Sequence, residues 1–330
     1  MTAAELDYTF RAMGSDIRLV IGDRLRAAAP EPLHAADRER EFIRRFSDRL
    51  SRFRSDSELS ALNRDPRWCV PASALLRAAV TAAVWAAEHS GGLVDPTLVG
   101  ALERCGYDHS LDGEAPASLA EALAVAPARR PARPHPAARW RAIRVDEEAG
   151  TITRPPGVMI DTGGTGKGLC ADAVALRLAG YARFAVDCGG DVAIGGIGAQ
   201  LHPYEVVVEH PLTLAPIGAI AVARGGIATS GLNVRIWRGA DGGYAHHLLD
   251  PSSGRPVWSG LVGATALGAD ALEAETLSKM ALLLGPAGAR EVLAQRGGVV
   301  VHDDGSVEAI GPVAGSLKPA AAPAEAVTPG

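Results

Sequence analysis

The chain has 330 residues, is 47% hydrophobic, and balances 33 basic against 38 acidic side chains for a net charge of −5. That length can bury a sizeable core in one large domain or two smaller ones, the weakly acidic balance lacks the electrostatic footprint of a nucleic-acid binder, and no apolar run of about 18 residues predicts a membrane span. With 38 glycines and only 5% aromatics, packing must rest on Ala, Val and Leu with many close backbone approaches.

In chain order, residues 7–21 predict a strand pair, because Tyr8, Phe10, Ile17, Leu19 and Ile21 alternate around a Met13-Gly14-Ser15 turn. Phe42, Phe46, Leu50 and Phe53 recur at helical spacing and predict a helix over 34–53. Ser55-Asp56-Ser57-Glu58 reads as a capping box opening a short helix with Leu59 and Leu62. An Ala-rich helix is predicted over 72–89, stopped by Gly91-Gly92. Five prolines between Pro116 and Pro136 mark 111–139 as an irregular Ala/Pro-rich insertion. Strands are predicted at 142–153, 183–188, 204–209, 218–223 and 298–302, and a helix at 270–284. Strands and helices lack a βαβ rhythm, which predicts an α+β fold rather than a doubly wound sheet. The four cysteines form no CxxC pair or zinc pattern and are expected to be small apolar fillers. The N-terminus shows no basic stretch followed by an apolar one, so the expected location is cytoplasmic, unless a leader was removed.

The most informative local feature is a predicted strand–loop–helix over 158–179, containing Asp161-Thr162-Gly163-Gly164-Thr165-Gly166-Lys167-Gly168. Glycines let backbone approach a ligand, amides at a helix start favour phosphate, and Lys167 adds a point charge. A Walker A loop is excluded by Asp161 and Gly168 at its Gly and Ser/Thr positions, and a dinucleotide fingerprint by Ala171 after Gly166 and Gly168. Alone, the loop reads equally well as a tight structural turn. The run His246 to Gly254 holds two adjacent histidines, of which an extended chain can aim only one into a given site. Imidazole can accept a proton near neutral pH, and Asp250-Pro251 can equally be a plain turn.

Seven segments in order resemble the ApbE family of FAD:protein FMN transferases: Met13-Gly14-Ser15; Ser51 to Leu59 with Leu62-Asn63; Val94-Asp95-Pro96-Thr97; Asp161 to Gly168 with Asp172; Gly189-Gly190-Asp191; Ala228-Thr229-Ser230-Gly231; and His246 to Gly254. The resemblance runs from about Phe10 to Gly285. It implies an α+β, T-fold-like domain of mixed sheets and packed helices over 1–310, beyond which the dominance of Ala and Pro in 311–330 predicts a disordered tail. It also implies a bent FAD contacted by Met13, Phe53, Leu93, Val94, Asp95, Gly163, Lys167 and His247, with Asp161 and Gly164 from the loop and Ser230 beside the pocket. The implied reaction is attack of a Thr or Ser hydroxyl of an acceptor flavoprotein on the FMN-side phosphorus of FAD, with AMP leaving. Lys167 and the loop amides would hold the phosphates, and His247 would be the base, oriented by Asp250. An FAD pyrophosphatase releasing FMN and AMP would use the same pocket, and a non-catalytic flavin-binding or trafficking protein would keep only the binding.

The chain departs from that family where Mg²⁺ is normally held by a loop carbonyl, here at Gly166, and by Asp and Thr four apart on a late helix. Glu275 and Lys279 stand at those two places. Residues four apart share a helix face, so this pair can bond directly. Either the Lys279 ammonium takes the metal's place, or Glu275 still binds Mg²⁺ with Lys279 turned to a phosphate, or the two form an ordinary helix salt bridge in a site that no longer works. Val94 replaces the usual Phe or Met, and Leu102 to Asp108 replaces an aromatic-Gly-Phe-Gly stretch, so the resemblance names no flavin-stacking ring.

Overall fold

The computed structural model describes residues 5–239 and 242–318. Its centre is an eight-stranded sheet of β1 (Leu6–Ala12), β2 (Ser15–Ile21), β3 (Phe184–Cys188), β4 (Asp191–Gly195), β5 (Gly225–Gly231), β6 (Leu261–Gly268), β7 (Gly298–His302) and β8 (Val307–Ile310). These strands lie side by side in chain order and every neighbouring pair is antiparallel. The helices that frame the site are α1 (Pro32–Leu50), α2 (Glu58–Arg64), α3 (Ala74–His89), α4 (Gly166–Arg177) and α5 (Ala271–Leu293). The α+β expectation holds. No described helix is long and apolar enough to cross a membrane.

Both faces of the sheet are covered. Val186, Cys188 and Ala193 join α1, α3 and α4 in one buried cluster, whereas Ala185, Val192 and Ile194 join the hairpin of Tyr204–Glu209 and Pro216–Val222 in another. Successive side chains of a strand point to opposite faces, so each inner strand feeds two cores. α1 forms because Ala36, Ile43, Phe46 and Leu50 fall on one buried stripe. α4 packs against β3, β4 and α5, and α5 against β5 and β6. Gly168 makes the helix contact possible: a Cβ there would lie 2.7 Å from the Ala271 carbonyl oxygen.

Several local expectations shift. The first helix ends at Leu50, leaving Phe53 in a turn. Ser57, not Ser55, caps α2 by accepting from the Ser60 amide, and Glu58 instead accepts from the amide and hydroxyl of Ser73, the N-cap of α3. The apolar run Val158–Ile160 pairs with no strand; the Asn63 side chain accepts from the Ile160 amide and donates to its carbonyl, standing in for a ladder partner. The insertion at 111–139 is mostly irregular but carries a helical turn at Leu119–Ala124, capped by Ser118. The first part of the tail expected from Gly311 is ordered: Gly311–Gly315 is a 3₁₀ turn, Val313 is buried, and Lys318 exchanges backbone hydrogen bonds with Ala219. The rest of that tail, 319–330, lies outside the described residues. Cys170 and Cys188 are buried fillers as expected, but Cys69 is exposed.

Candidate active site

A cleft of about 1320 Å³ opens where the β1–β2 turn, the glycine loop, β5 and the middle of α5 meet. Met13, Phe53, Leu93, Val94, Asp95, Asp161, Gly163, Gly164, Gly166, Lys167, Ser230 and His247 all line it. Asp250 and Glu275, also singled out from the sequence, do not.

The turn that brings Met13 to the cleft has only two residues between paired strands, with φ of 55° at Met13 and 65° at Gly14. A two-residue hairpin loop of this hand needs positive φ at both positions. Met13 therefore holds a backbone conformation that disfavours a side chain. On one wall, Phe53, Tyr107 and Trp237 form a chain of rings with successive centroids 5.2 Å apart. The Arg52 guanidinium lies over Phe53 and Tyr107 at 4.1 and 4.5 Å from their centroids, and its Nε is 3.3 Å from Asp161. Leu93 and Val94 are buried, and Asp95 keeps its own turn by accepting from the amide and hydroxyl of Thr97. Tyr107 lies in the Leu102–Asp108 stretch where the sequence departs from the family pattern, and Trp237 lies between two motifs, so neither was singled out from the sequence.

The floor is charged. Thr165 is the N-cap of α4, so the loop delivers Gly166 and Lys167 to the first helical turn, where amides lack intrahelical acceptors. Carboxylates already take two of the loop amides, Asp161 that of Gly163 and Glu275 Oε2 that of Gly168 at 2.8 Å each, and backbone carbonyls take those of Asp161 and Thr165. Lys167 Nζ donates to the Gly189 carbonyl at 3.0 Å and sits 2.8 Å from Asp191 Oδ2. Asp191 is 1% exposed and its oxygens find no hydrogen-bond partner of good geometry, so its charge is balanced by Lys167 through space. Burial would push the Lys167 ammonium down, but Asp191 and Glu275 outweigh it and hold the pKa above its ordinary value. Asp191 appeared in the sequence only inside the Gly-Gly-Asp motif; its role as the counter-ion is visible only in space. Ser230 exchanges a 2.8 Å hydrogen bond with Ser278 on α5.

The two histidines divide as an extended pair must. His246 is fully buried, donates Nε2–H to the Val257 carbonyl, accepts at Nδ1 from the Leu248 amide, and meets Trp258 edge-on. With both nitrogens used it is a core residue, and burial lowers its pKa to about 4. His247 faces the cleft. Its Nδ1 lies 3.4 Å from the Arg235 carbonyl, which can only accept, so Nδ1 carries the proton and Nε2 is left with its lone pair. Burial, then the Arg235 charge, then His246 and Lys279, hold His247 well below its usual pKa and therefore neutral.

Asp250 does not orient His247. Its carboxylate accepts from the Arg133 and Ser252 amides and from the Ser252 and Ser253 hydroxyls, the chemistry of a closed Asx turn. The backbone carbonyl of Arg235 does the orienting instead.

The residues matched to a Mg²⁺ site do not fit one. Glu275 is fully buried, with Oε2 held by the Gly168 amide and Oε1 by Lys279 Nζ at 2.8 Å. Gly166 opens α4, where its carbonyl joins the helix ladder. Among the described residues no three His, Cys, Asp or Glu side chains converge as a metal would need.

The ApbE family model matches residues 13–302. An FAD:protein FMN transferase of Salmonella typhimurium is 34% identical over 146 residues, covering 43% of this chain and 41% of the relative, so that alignment spans less than half of the relative's length. A namesake in Haemophilus influenzae is 26% identical over 270 residues, 77% of this chain and 73% of its own. Among solved structures, the ApbE protein of Thermotoga maritima superposes with a TM-score of 0.74 at 25% identity, covering 93% of this chain and 97% of that one. The apo flavinyl transferase ApbE of Pseudomonas stutzeri shares the fold with a TM-score of 0.72 at 22% identity, covering 93% and 95%. With the model running from the β1–β2 turn through β7, and the same frame in solved relatives, this chain belongs to the ApbE family.

Proposed function

We propose that this protein transfers the FMN half of FAD to a Thr or Ser hydroxyl of an acceptor flavoprotein, releasing AMP. One observation carries the reading: a single cleft joins an aromatic wall of Phe53, Tyr107 and Trp237 to a cationic floor of Lys167, Arg235 and Lys279, with a neutral imidazole beside that floor. Flat rings suit an isoalloxazine, and the ammonium and guanidinium groups suit a pyrophosphate.

The acceptor oxygen attacks the riboflavin-side phosphorus, the bridging P–O bond breaks, and its electron pair leaves with AMP. His247 Nε2 takes the hydroxyl proton. Its depressed pKa keeps that lone pair available throughout the neutral range, at the cost of modest basicity. Lys167 and Arg235 stabilise charge on the transferring phosphoryl group, the larger part of catalysis in such reactions.

Intact mass spectrometry of a flavin-acceptor domain incubated with enzyme and FAD tests this. An acceptor gaining the mass of FMN is expected. AMP accumulating beside an unmodified acceptor would make the protein an FAD pyrophosphatase, and FAD binding without either product would make it a flavin carrier.

A further inference from the structure

Two ion pairs lie under the phosphate end of the cleft, Lys167 with Asp191 and Lys279 with Glu275, each 2.8 Å apart. Their exposure is lopsided. The carboxylate side chains are sealed, 1% and 0% exposed, while the lysine side chains retain 18% and 11%. The pairs therefore show the cleft their positive ends, and Lys279 is part of its lining whereas Glu275 is not. An ordinary i,i+4 pair on a helix is solvated and adds little. This one is buried, and Glu275 is further pinned by the Gly168 amide at the very start of the phosphate-binding helix. That bond ties the position of the Lys279 ammonium to the glycine loop itself.

A divalent ion seated on Glu275 would have to displace the Lys279 ammonium from Oε1 or sit against it, and like charges in a poorly solvated place repel. No other carboxylate, imidazole or thiolate cluster among the described residues offers a substitute site. The electrostatic task of a cation at the pyrophosphate is already met by a side chain.

We propose that the Lys279 ammonium, fixed by Glu275, takes the place of a divalent metal at the FAD pyrophosphate, so that this family member works without one. The inference rests on the FAD reading above. In the step itself the acceptor oxygen bonds to the riboflavin-side phosphorus, the bridging bond breaks with its electron pair going to the AMP phosphate, and the proton goes to His247. Lys279 neutralises charge gathering on the phosphates and exchanges no atom.

The test uses the full chain. FAD is titrated by flavin fluorescence, and flavinylation of an acceptor domain is timed, each in excess EDTA and in millimolar MgCl₂. Affinity and rate are expected to agree within about twofold between the two buffers. A tenfold or greater loss in EDTA, restored by Mg²⁺, overturns the inference while leaving the transferase reading intact. FAD binding in neither buffer overturns both. Lys279→Ala frees Glu275 Oε1 and is expected to lose at least tenfold in FAD affinity in EDTA and to regain part of it with Mg²⁺. An affinity unchanged in EDTA would reduce the pair to a structural bridge. Because Lys279→Ala leaves the Glu275 charge buried and unpaired, Glu275→Asp with Lys279→Thr provides a second route: it installs the pairing that the family resemblance implies for Mg²⁺ and is expected to make the enzyme EDTA-sensitive, whereas continued indifference to EDTA overturns the inference.

Discussion

Replacing Asp191 with Asn keeps the shape of a fully enclosed side chain and deletes its charge, leaving Lys167 without the carboxylate 2.8 Å away. At that distance and an effective dielectric of about 20, the pair attraction is on the order of 6 kcal/mol before desolvation is counted. Most of that offsets the removal of both charges from water, but removing Asp191 restores little hydration to Lys167, whose side chain is only 18% exposed, so the expected destabilisation is about 3–5 kcal/mol. For a chain of this size that corresponds to a fall in Tm of about 4–7 °C. The sign with ligand is opposite: the pyrophosphate can replace the lost negative charge, so FAD should raise the Tm of the variant by more than it raises that of the wild type. Thermal and urea unfolding of the apo protein, repeated with saturating FAD, measures both. An apo stability within about 1 kcal/mol of wild type would refute the argument that Lys167 depends on Asp191.

Three further outcomes are expected. His247→Ala should lower the flavinylation rate by about two to four orders of magnitude while FAD still binds; since the folded His247 pKa is depressed, the wild-type rate should show no acid limb near pH 6.5, and a midpoint there would contradict the assignment. His246 stays neutral when folded, with a pKa of about 4 against an ordinary 6.5, so its contribution is intact above pH 6.5 and is lost as the pH falls toward 4. Between pH 7.5 and 5 it should remove roughly 2 kcal/mol, and His246→Gln should lack that slope when urea midpoints are compared. Gly168→Ala should destabilise by about 1–3 kcal/mol despite alanine's better helix propensity, because its Cβ would press on the Ala271 carbonyl; a neutral or stabilising result in urea would show that α4 and α5 can separate.

The parts legible in the sequence were those whose signal is local. Lys167 and His247 sit in short motifs that carry their own chemistry, and the β1–β2 hairpin announces itself by alternation around Met13-Gly14. β4, β5 and β6 were not legible, because burial on both faces erases the period of two: every residue of β4 is buried, and β5 and β6 are rich in Gly, Ala and Thr. Val158–Ile160 misleads in the opposite way, as an apolar run satisfied by one Asn side chain rather than by a strand. Asp250 misleads because Asp-Pro serves both a turn and a site, and only the positions of Ser252 and Ser253 decide between them. The Glu275–Lys279 pair was legible from its four-residue spacing, whereas the Asp191 counter-ion, the bond from the Gly168 amide to Glu275 and the Tyr107–Trp237 rings are products of tertiary contact, with no spacing to reveal them.

The sheet runs in chain order, yet β2 and β3 are neighbours with all of residues 22–183 threaded between them. Zipping that seam requires closing a very long loop, an entropic toll on the order of 4–5 kcal/mol, before any of its hydrogen bonds form, and such distant pairings come late in folding. The cleft straddles the same seam, with Met13 on the near side and Lys167 delivered by the threaded segment. A bound dinucleotide would thus act as a stitch across the slowest closure in the molecule. In a cell, flavin supply would then govern how much of this protein survives proteolysis as well as how fast it turns over.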